Sequence, residues 1–233
     1  MNIEVYAVCH NEEVILPYFI RHYSQFANIT IFDNQSTDGS LDIIKQHNIK
    51  LCSFDTQGEF REDVLMDIRN NCWKESKADW VIITDIDEFV YHKNLISVLS
   101  GLNATVVFPR MFNMFSFIMP TTQGQLYDEV NMGVEFRGKM CMFKPGDITS
   151  MNYEAGNHVA HPEGNYIIDV QSGIINMHFK NLCQQYVINR NAYLFSRQSE
   201  VNRTHGWNWH IAETAIETYT AFNNVKTQLF KVV

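Results

Sequence analysis

The chain predicts an α/β fold built on a mostly parallel sheet, and three observations predict it. Short apolar runs alternate with segments of helical period over roughly the first 85 residues, each run ends in a polar cluster, and the connections are long enough for crossover helices. Ile3 to Cys9 is a first strand. From Asn11 the period becomes helical, with Ile15, Leu16, Phe19, Tyr23 and Phe26 three or four apart and Pro17 tolerated in the first turn. Ile29 to Phe32 is a second strand, closed by Asp33-Asn34-Gln35-Ser36-Thr37-Asp38-Gly39, and Ser36, Thr37 or Asp38 can cap a helix carrying Leu41 and Ile44. Ile49 to Phe54 is a third strand. Val64, Leu65, Ile68 and Cys72 share a helical face before Trp80 to Thr84, the fourth strand.

The second half is less regular. Ala104 to Arg110 and Val134 to Phe143 read as strands, the latter followed by a Lys144-Pro145-Gly146-Asp147 turn. Tyr166 to Val170 and Gly173 to His178 are expected to pair around Gln171-Ser172. Leu182 to Ser196 has helical composition, as does the stretch from Asn208 onward. No repeat or linker interrupts the chain, so it reads as one domain, 1–233, with a ligand-binding half (1–100) and a second half (101–233).

Composition narrows the function. With 45% hydrophobic and 13% aromatic residues the 233-residue chain can fill a core, and a net charge of −8 disfavours sequence-independent nucleic-acid binding. Five cysteines without C-x-x-C spacing read as reduced and exclude a zinc site from expectation. The start of the chain has no basic n-region with an apolar h-region, and no window reaches about 18 uninterrupted apolar residues. The expectation is a cytoplasmic protein with no transmembrane segment, with action at a membrane surface left open.

The chemistry concentrates at Asp85-Ile86-Asp87. Two carboxylates one residue apart project to the same side of an extended backbone, at the strand end where α/β proteins bind ligands. They repel unless a cation intervenes, so a divalent metal carried with a phosphate ligand suits them.

Four segments then fall in order: Cys9-His10-Asn11-Glu12, Asp33 through Gly39, Arg69-Asn70, and Asp85-Ile86-Asp87-Glu88. Together they resemble the GT-A glycosyltransferases, in the family-2-like branch with N-E-E, D-N-x-S-x-D-G and D-x-D-E-F motifs. The likeness is close over about the first 90 residues and only in outline beyond. It implies a GT-A (Rossmann-like), mostly parallel sheet flanked by helices, with a smaller mixed acceptor-side half. It also implies a nucleotide-sugar donor, usually UDP-linked, a glycan or glycoconjugate acceptor, and Mn²⁺ or Mg²⁺ bridging protein and diphosphate. By position Asp87 would ligate the metal directly, and Asp85 would hold the ribose or reach the metal through water. Asp33 would read the base, or else merely shape its loop. The backbone of Val8, Cys9 and His10, with Ile86 and Arg69, would line the nucleotide, and His178 would complete the metal shell.

The branch favours inversion, which needs a carboxylate base on the acceptor side. Its usual E-D pair is missing, leaving Asp128 and Glu154 as candidates, with Glu129 beside them. Asn157, His158 and His161 suit acceptor or phosphate contacts. Arg137, Lys139 and Lys144 could balance a diphosphate or simply face solvent, and Trp207 and Trp209 offer flat faces for a sugar or for the core. A nucleotidyltransferase should have a glycine-rich basic first loop, whereas Cys9-His10-Asn11-Glu12-Glu13 is acidic. A non-catalytic carbohydrate-binding module on the same fold is the other alternative.

Overall fold

The computed structural model describes residues 1–208, 211 and 214–233. Four strands, β1 (Ile3–Cys9), β2 (Asn28–Asp33), β3 (Lys50–Ser53) and β4 (Trp80–Asp85), lie parallel in the order β3-β2-β1-β4. The crossovers carry α1 (Leu16–Tyr23), α2 (Ser40–Gln46) and α3 (Glu62–Asn71). Both faces are covered at the centre of this sheet, which is why β1 and β4 are mostly apolar, whereas the edge strand β3 is largely exposed. Alternation sorts the side chains: Ile3, Val5, Ala7 and Cys9 of β1 and Trp80 and Ile82 of β4 face one core, while Tyr6, Val81 and Ile83 face a second, with Trp73, Phe143, Met151 and Tyr153.

The chain then changes sheets. Only Ile86 and Asp87 separate β4 from β5 (Glu88–Tyr91), which belongs to a different, five-stranded sheet. After α4 (Leu95–Gly101), β6 (Val106–Val107) returns to the first sheet and β7 (Arg110–Phe115) to the second; α5 (Leu126–Glu129) and β8 (Met132–Phe136) follow. β9 (Met142–Phe143) and β12 (Ile168–Asp169) extend the first sheet to seven strands, in the order β12-β6-β9-β4-β1-β2-β3. Between them β10 (Ile148–Ser150) and β11 (Glu163–Gly164) form a separate ribbon. The second sheet runs β14-β8-β7-β13-β5, with β13 (Ile175–Asn181) and β14 (Phe230–Lys231). Helices α6 (Gln184–Ser196), α7 (Glu200–His205) and α8 (Ala215–Val225) complete the chain. The architecture is the expected α/β arrangement of a mostly parallel sheet flanked by helices.

Two sequence expectations need correction. Val134 to Phe143 is not one strand but β8 and β9 in different sheets. The break falls at Gly138, where a Cβ would come within 2.5 Å of the Pro109 carbonyl, and at Lys139, whose charged end turns inward between the sheets. Tyr166–Val170 and Gly173–His178 do not form a hairpin. β12 runs parallel to β6, whereas β13 lies antiparallel to β5 and parallel to β7, so the segment between them crosses from sheet to sheet.

A buried hydroxyl secures the sheet change. Tyr23 Oη donates to the Glu88 carbonyl and accepts from Val90 N–H, both at 2.9 Å, and His22 Nε2 donates to the Val90 carbonyl at 2.9 Å. Tyr23→Phe strands the Val90 N–H and leaves the Glu88 carbonyl with Thr84 Oγ1 at 3.1 Å, and should lower the unfolding free energy by about 1–3 kcal/mol, read as a shifted urea midpoint at unchanged slope.

Candidate active site

The strand ends are level. Cys9 pairs with Asp33 and Val8 with Asp85, so the loops after β1, β2 and β4 open on one edge. The first two are laced together. Asn11, in the left-handed region at φ 54°, accepts from Thr37 N–H at 2.7 Å through Oδ1, while Ser36 Oγ accepts from Asn11 N–H at 2.9 Å and Ser40 Oγ from Glu12 N–H at 3.0 Å. Asp38 accepts from the Ser40 N–H at 2.9 Å and from the Glu13 N–H at 3.0 Å, one residue before the N-cap of α2, Gly39. Asp33, 1% exposed, spends both carboxylate oxygens on Ser36, accepting from its N–H at 2.9 Å and its hydroxyl at 2.5 Å. In this conformation Asp33 shapes the loop. Cys9 and Ile86 are buried, and Val8 is half-buried in β1.

Behind this edge runs a row of charges, buried except for Asp85, whose side chain is 29% exposed. Arg69 Nη1 lies 2.8 Å from Glu62 Oε1 and its Nη2 2.9 Å from Asp85 Oδ1. Lys139 Nζ lies 2.9 Å from Asp85 Oδ2 and 2.5 Å from Glu88 Oε1. Glu62 also accepts from Gly156 N–H at 2.9 Å and Asn208 Nδ2 at 3.1 Å, and Glu88 from Asn176 Nδ2 at 3.2 Å. Burial alone would raise the Asp85 carboxyl, but Lys139 and Arg69 hold it far below the carboxylate range. Both Asp85 oxygens thus meet cations of the chain. Arg69 is turned to the same row.

Asp87, two residues on, stands apart from that row. Its Oδ2 lies 3.4 Å from His178 Nε2 and 3.4 Å from Arg190 Nη2. β13 brings His178 there, paired with Glu88 across the ladder while Phe179 N–H donates to the Asp87 carbonyl at 2.7 Å. Burial favours the neutral acid at Asp87, yet His178 and Arg190 hold it well below the ordinary range. His178 Nδ1 faces Asn113 Oδ1 at 3.1 Å, an acceptor only, so Nδ1 carries a proton. Nε2 is the ring nitrogen left to face the Asp87 carboxylate, and in the neutral ring it presents a lone pair there.

The donor set fits a divalent ion. Asp87, Glu88 and His178 offer ligand atoms within 4.8 Å of one another, two hard oxygens and an imidazole nitrogen whose far side is oriented by an amide oxygen. Around them five carboxylates (Glu12, Glu62, Asp85, Asp87, Glu88) meet three permanent cations (Arg69, Lys139, Arg190), an excess of two negative charges when all five are ionised.

Helix α6 closes the site from above. The sequence places the helix, capped by Cys183, but gives Arg190 and Tyr193 no role. Arg190 Nη2 reaches Glu12 Oε1 at 3.1 Å as well as Asp87. Tyr193 Oη donates to His10 Nε2 and accepts from Asn11 Nδ2, both at 2.8 Å. The His10 and Tyr193 rings are parallel within 3° with centroids 5.9 Å apart. Atoms 2.8 Å apart cannot belong to parallel rings stacked at van der Waals distance, so the two lie side by side. Asn34 carbonyl, 2.5 Å from His10 Nδ1, sets the tautomer, and burial pushes the ring toward neutrality. A signal for this face existed: Tyr186, Arg190, Tyr193 and Arg197 are four, three and four residues apart on a helix.

The remaining candidates are dispersed. Asp128 is exposed, with Oδ2 accepting from Gln125 N–H at 2.9 Å in a capping box. Its neighbour Tyr127 rests against Tyr91, at the opposite end of β5 from Asp87. Glu129 accepts from Thr121 and Thr122 N–H in the same region. Glu154, also exposed, lies 3.0 Å from His161 and two residues from Gly156, the donor to Glu62. His158 sits against Phe136, pushed down to about 4 by burial and by Lys139, and Asn157 is buried. Lys144 lies over Trp80, Arg137 is exposed, and Trp207 stacks on His205. Trp209 lies outside the described residues.

No protein-family model matches the chain, and no curated protein sequence matches it. Among solved structures, a 1–349 fragment of S. aureus TarS aligns over 97% of this chain and 74% of its own, at 11% identity and a TM-score of 0.46. A longer S. aureus TarS chain aligns over 86% and 41%, at 12% identity and 0.48. Glucosyl-3-phosphoglycerate synthase from Mycobacterium tuberculosis, in complex with Mn²⁺, UDP and glucosyl-3-phosphoglycerate, aligns over 48% and 44%, at 17% identity and 0.35. Likenesses at these scores leave the chemistry to be argued from this chain's own residues.

The charge balance has a measurable consequence. Burial pushes the Glu12 carboxyl from 4.5 up to about 7, against the pull of Arg190 and with a further push from Asp87 and Asp85. Across that window the folded protein keeps a proton that the unfolded chain has released, so stability falls as pH rises from 4.5 to about 7. Glu12→Gln cannot titrate and should remove this component. The unfolding free energy of wild type minus that of the variant should drop by on the order of 2 kcal/mol across the window, and a flat difference would mean that Glu12 ionises as it does in water.

Proposed function

We propose that this chain is a metal-dependent glycosyltransferase that moves a sugar from a nucleoside-diphosphate donor, UDP-linked, to a hydroxyl of a glycan or glycoconjugate with inversion. The observation that carries the reading is the Asp87–His178 pair. A carboxylate and an imidazole nitrogen of fixed tautomer face each other at 3.4 Å, beside level strand ends that carry the Asn11-Glu12-Glu13 and Asp33-to-Gly39 loops. The motif resemblance supports it independently.

Asp87 and His178 would hold Mn²⁺ or Mg²⁺, and what such an ion supplies when bound is neutralisation of charge on the departing diphosphate. Arg190 meets Glu12 and Asp87 through Nη2 alone, whereas Arg69 spends both Nη atoms on carboxylates, and its guanidinium suits phosphate oxygens. The loop from Val8 to His10 and the flat His10–Tyr193 pair would flank the nucleotide. For the base, exposure beside the Glu62 edge favours Glu154 over Asp128, which lies at the far end of β5.

UDP with Mn²⁺ should raise the melting temperature by about 5 °C at saturating concentration, and UDP should be released slowly from the matching sugar donor without acceptor. Asp87→Ala should abolish both effects. No shift with either UDP or GDP plus metal would sink the reading, and binding without any donor turnover would mark a non-catalytic module instead.

The base is tested separately. Glu154→Gln should lower transfer to acceptor at least about 100-fold while leaving the UDP–Mn²⁺ thermal shift intact, and Asp128→Asn should leave transfer near wild type. The reverse pattern would return the role to Asp128.

A further inference from the structure

Lys139 is 2% exposed and sits at the crossing between β8 and β9. Its ammonium touches two of the three carboxylates that Asp85, Asp87 and Glu88 bring together, at 2.9 Å from Asp85 and 2.5 Å from Glu88. Glu88 is nevertheless close enough to Asp87 and His178 to share an ion with them, its ligand atom lying within 4.8 Å of theirs. Three carboxylates from four successive residues, converging in a buried place, form a donor set large enough for a pair of cations. Paired metal ions in such centres stand about 3.5–4 Å apart.

We propose that Lys139 stands where a second divalent cation would otherwise bind, between Asp85 and Glu88, and that its ammonium restricts this acidic centre to a single metal ion at Asp87 and His178. The inference rests on the preceding reading only for that one ion; the occupancy of the Asp85–Glu88 place is a separate matter. Two features support it. Arg69 takes the other oxygen of Asp85, and Asn176 the other oxygen of Glu88, so both carboxylates are aimed at the ammonium. An ammonium is a compact point charge of about the right size to replace an ion, but it carries one charge and brings no coordination site for phosphate. The diphosphate would therefore meet one metal ion and Arg190, not a two-metal clamp.

Mn²⁺ titration of the full chain by equilibrium dialysis, with thermal melts in parallel, tests this. Wild type is expected to bind one ion and Asp87→Ala none. Lys139→Ala is expected to bind two, and the double variant Asp87→Ala/Lys139→Ala one. Mn²⁺ should raise the melting temperature of Lys139→Ala at least about twice as far as that of wild type, because the ion replaces the missing charge. Lys139→Arg should stay at one ion, and Lys139→Met/Glu88→Gln, which removes a carboxylate together with the ammonium, should also stay at one. Should Lys139→Ala lose its fold in the absence of metal, Mn²⁺ is expected to restore a cooperative melt. A Lys139→Ala chain that gains no ion over wild type, or that Mn²⁺ does not restore, overturns the proposal. A wild type without any ion overturns the reading of Asp87 and His178, while a gain of one ion in Lys139→Ala would still uphold the role of the ammonium.

Discussion

A single, largely buried row of charges, Glu62–Arg69–Asp85–Lys139–Glu88, is what the rest of this structure depends on. It begins on α3, passes the end of β4, takes in the crossing between β8 and β9, and ends at the first residue of β5. Both sheets are therefore joined through it. Such a row is costly to desolvate and adds little net stability compared with apolar packing, but removing one member leaves a charge unpaired in the core, typically at about 3–5 kcal/mol. What it contributes is geometry. With each inner member held on two sides, the four residues from Asp85 to Glu88 have one arrangement in which every charge is answered.

That constraint divides neighbouring carboxylates into different kinds. Asp85 and Glu88 share the Lys139 ammonium, and Asp85 also meets Arg69. Asp87 points instead to His178 and Arg190, at the edge where the loops open. Helix α6 then brings its polar face down on the same edge, joining Glu12, His10 and Asn11 to residues about 180 positions later in the chain. Under the proposed function, Arg190 and a metal ion would answer the same acidic excess, so an ion at Asp87 would weaken the hold on the guanidinium.

Much of the fold was legible because its signals are local. The four parallel strands and three crossover helices follow from apolar runs and helical period within short windows, and the end of β4 at Asp85 follows from the change to acidic residues. The second half was less legible. Val134 to Phe143 looks like one strand because both sheets want apolar residues; only the close approach of Gly138 to the Pro109 carbonyl and the inward turn of Lys139 split it. β12 and β13 looked like a hairpin because their separation allows one, whereas each finds a parallel partner far away in sequence.

The same division holds at the candidate site. By itself the sequence determined which residue types gather at the strand ends, because strand periodicity places Cys9, Asp33 and Asp85 at the close of their runs and a D-x-D-E segment behind them. Only the tertiary structure decided what each carboxylate does. Asp33 turned to Ser36, Asp85 to Arg69 and Lys139, and Asp87 to His178 and Arg190. The reason is physical: in a buried site the role of a carboxylate is set by the cations and donors within about 3–4 Å of it, and here those partners come from strands and helices distant in the chain.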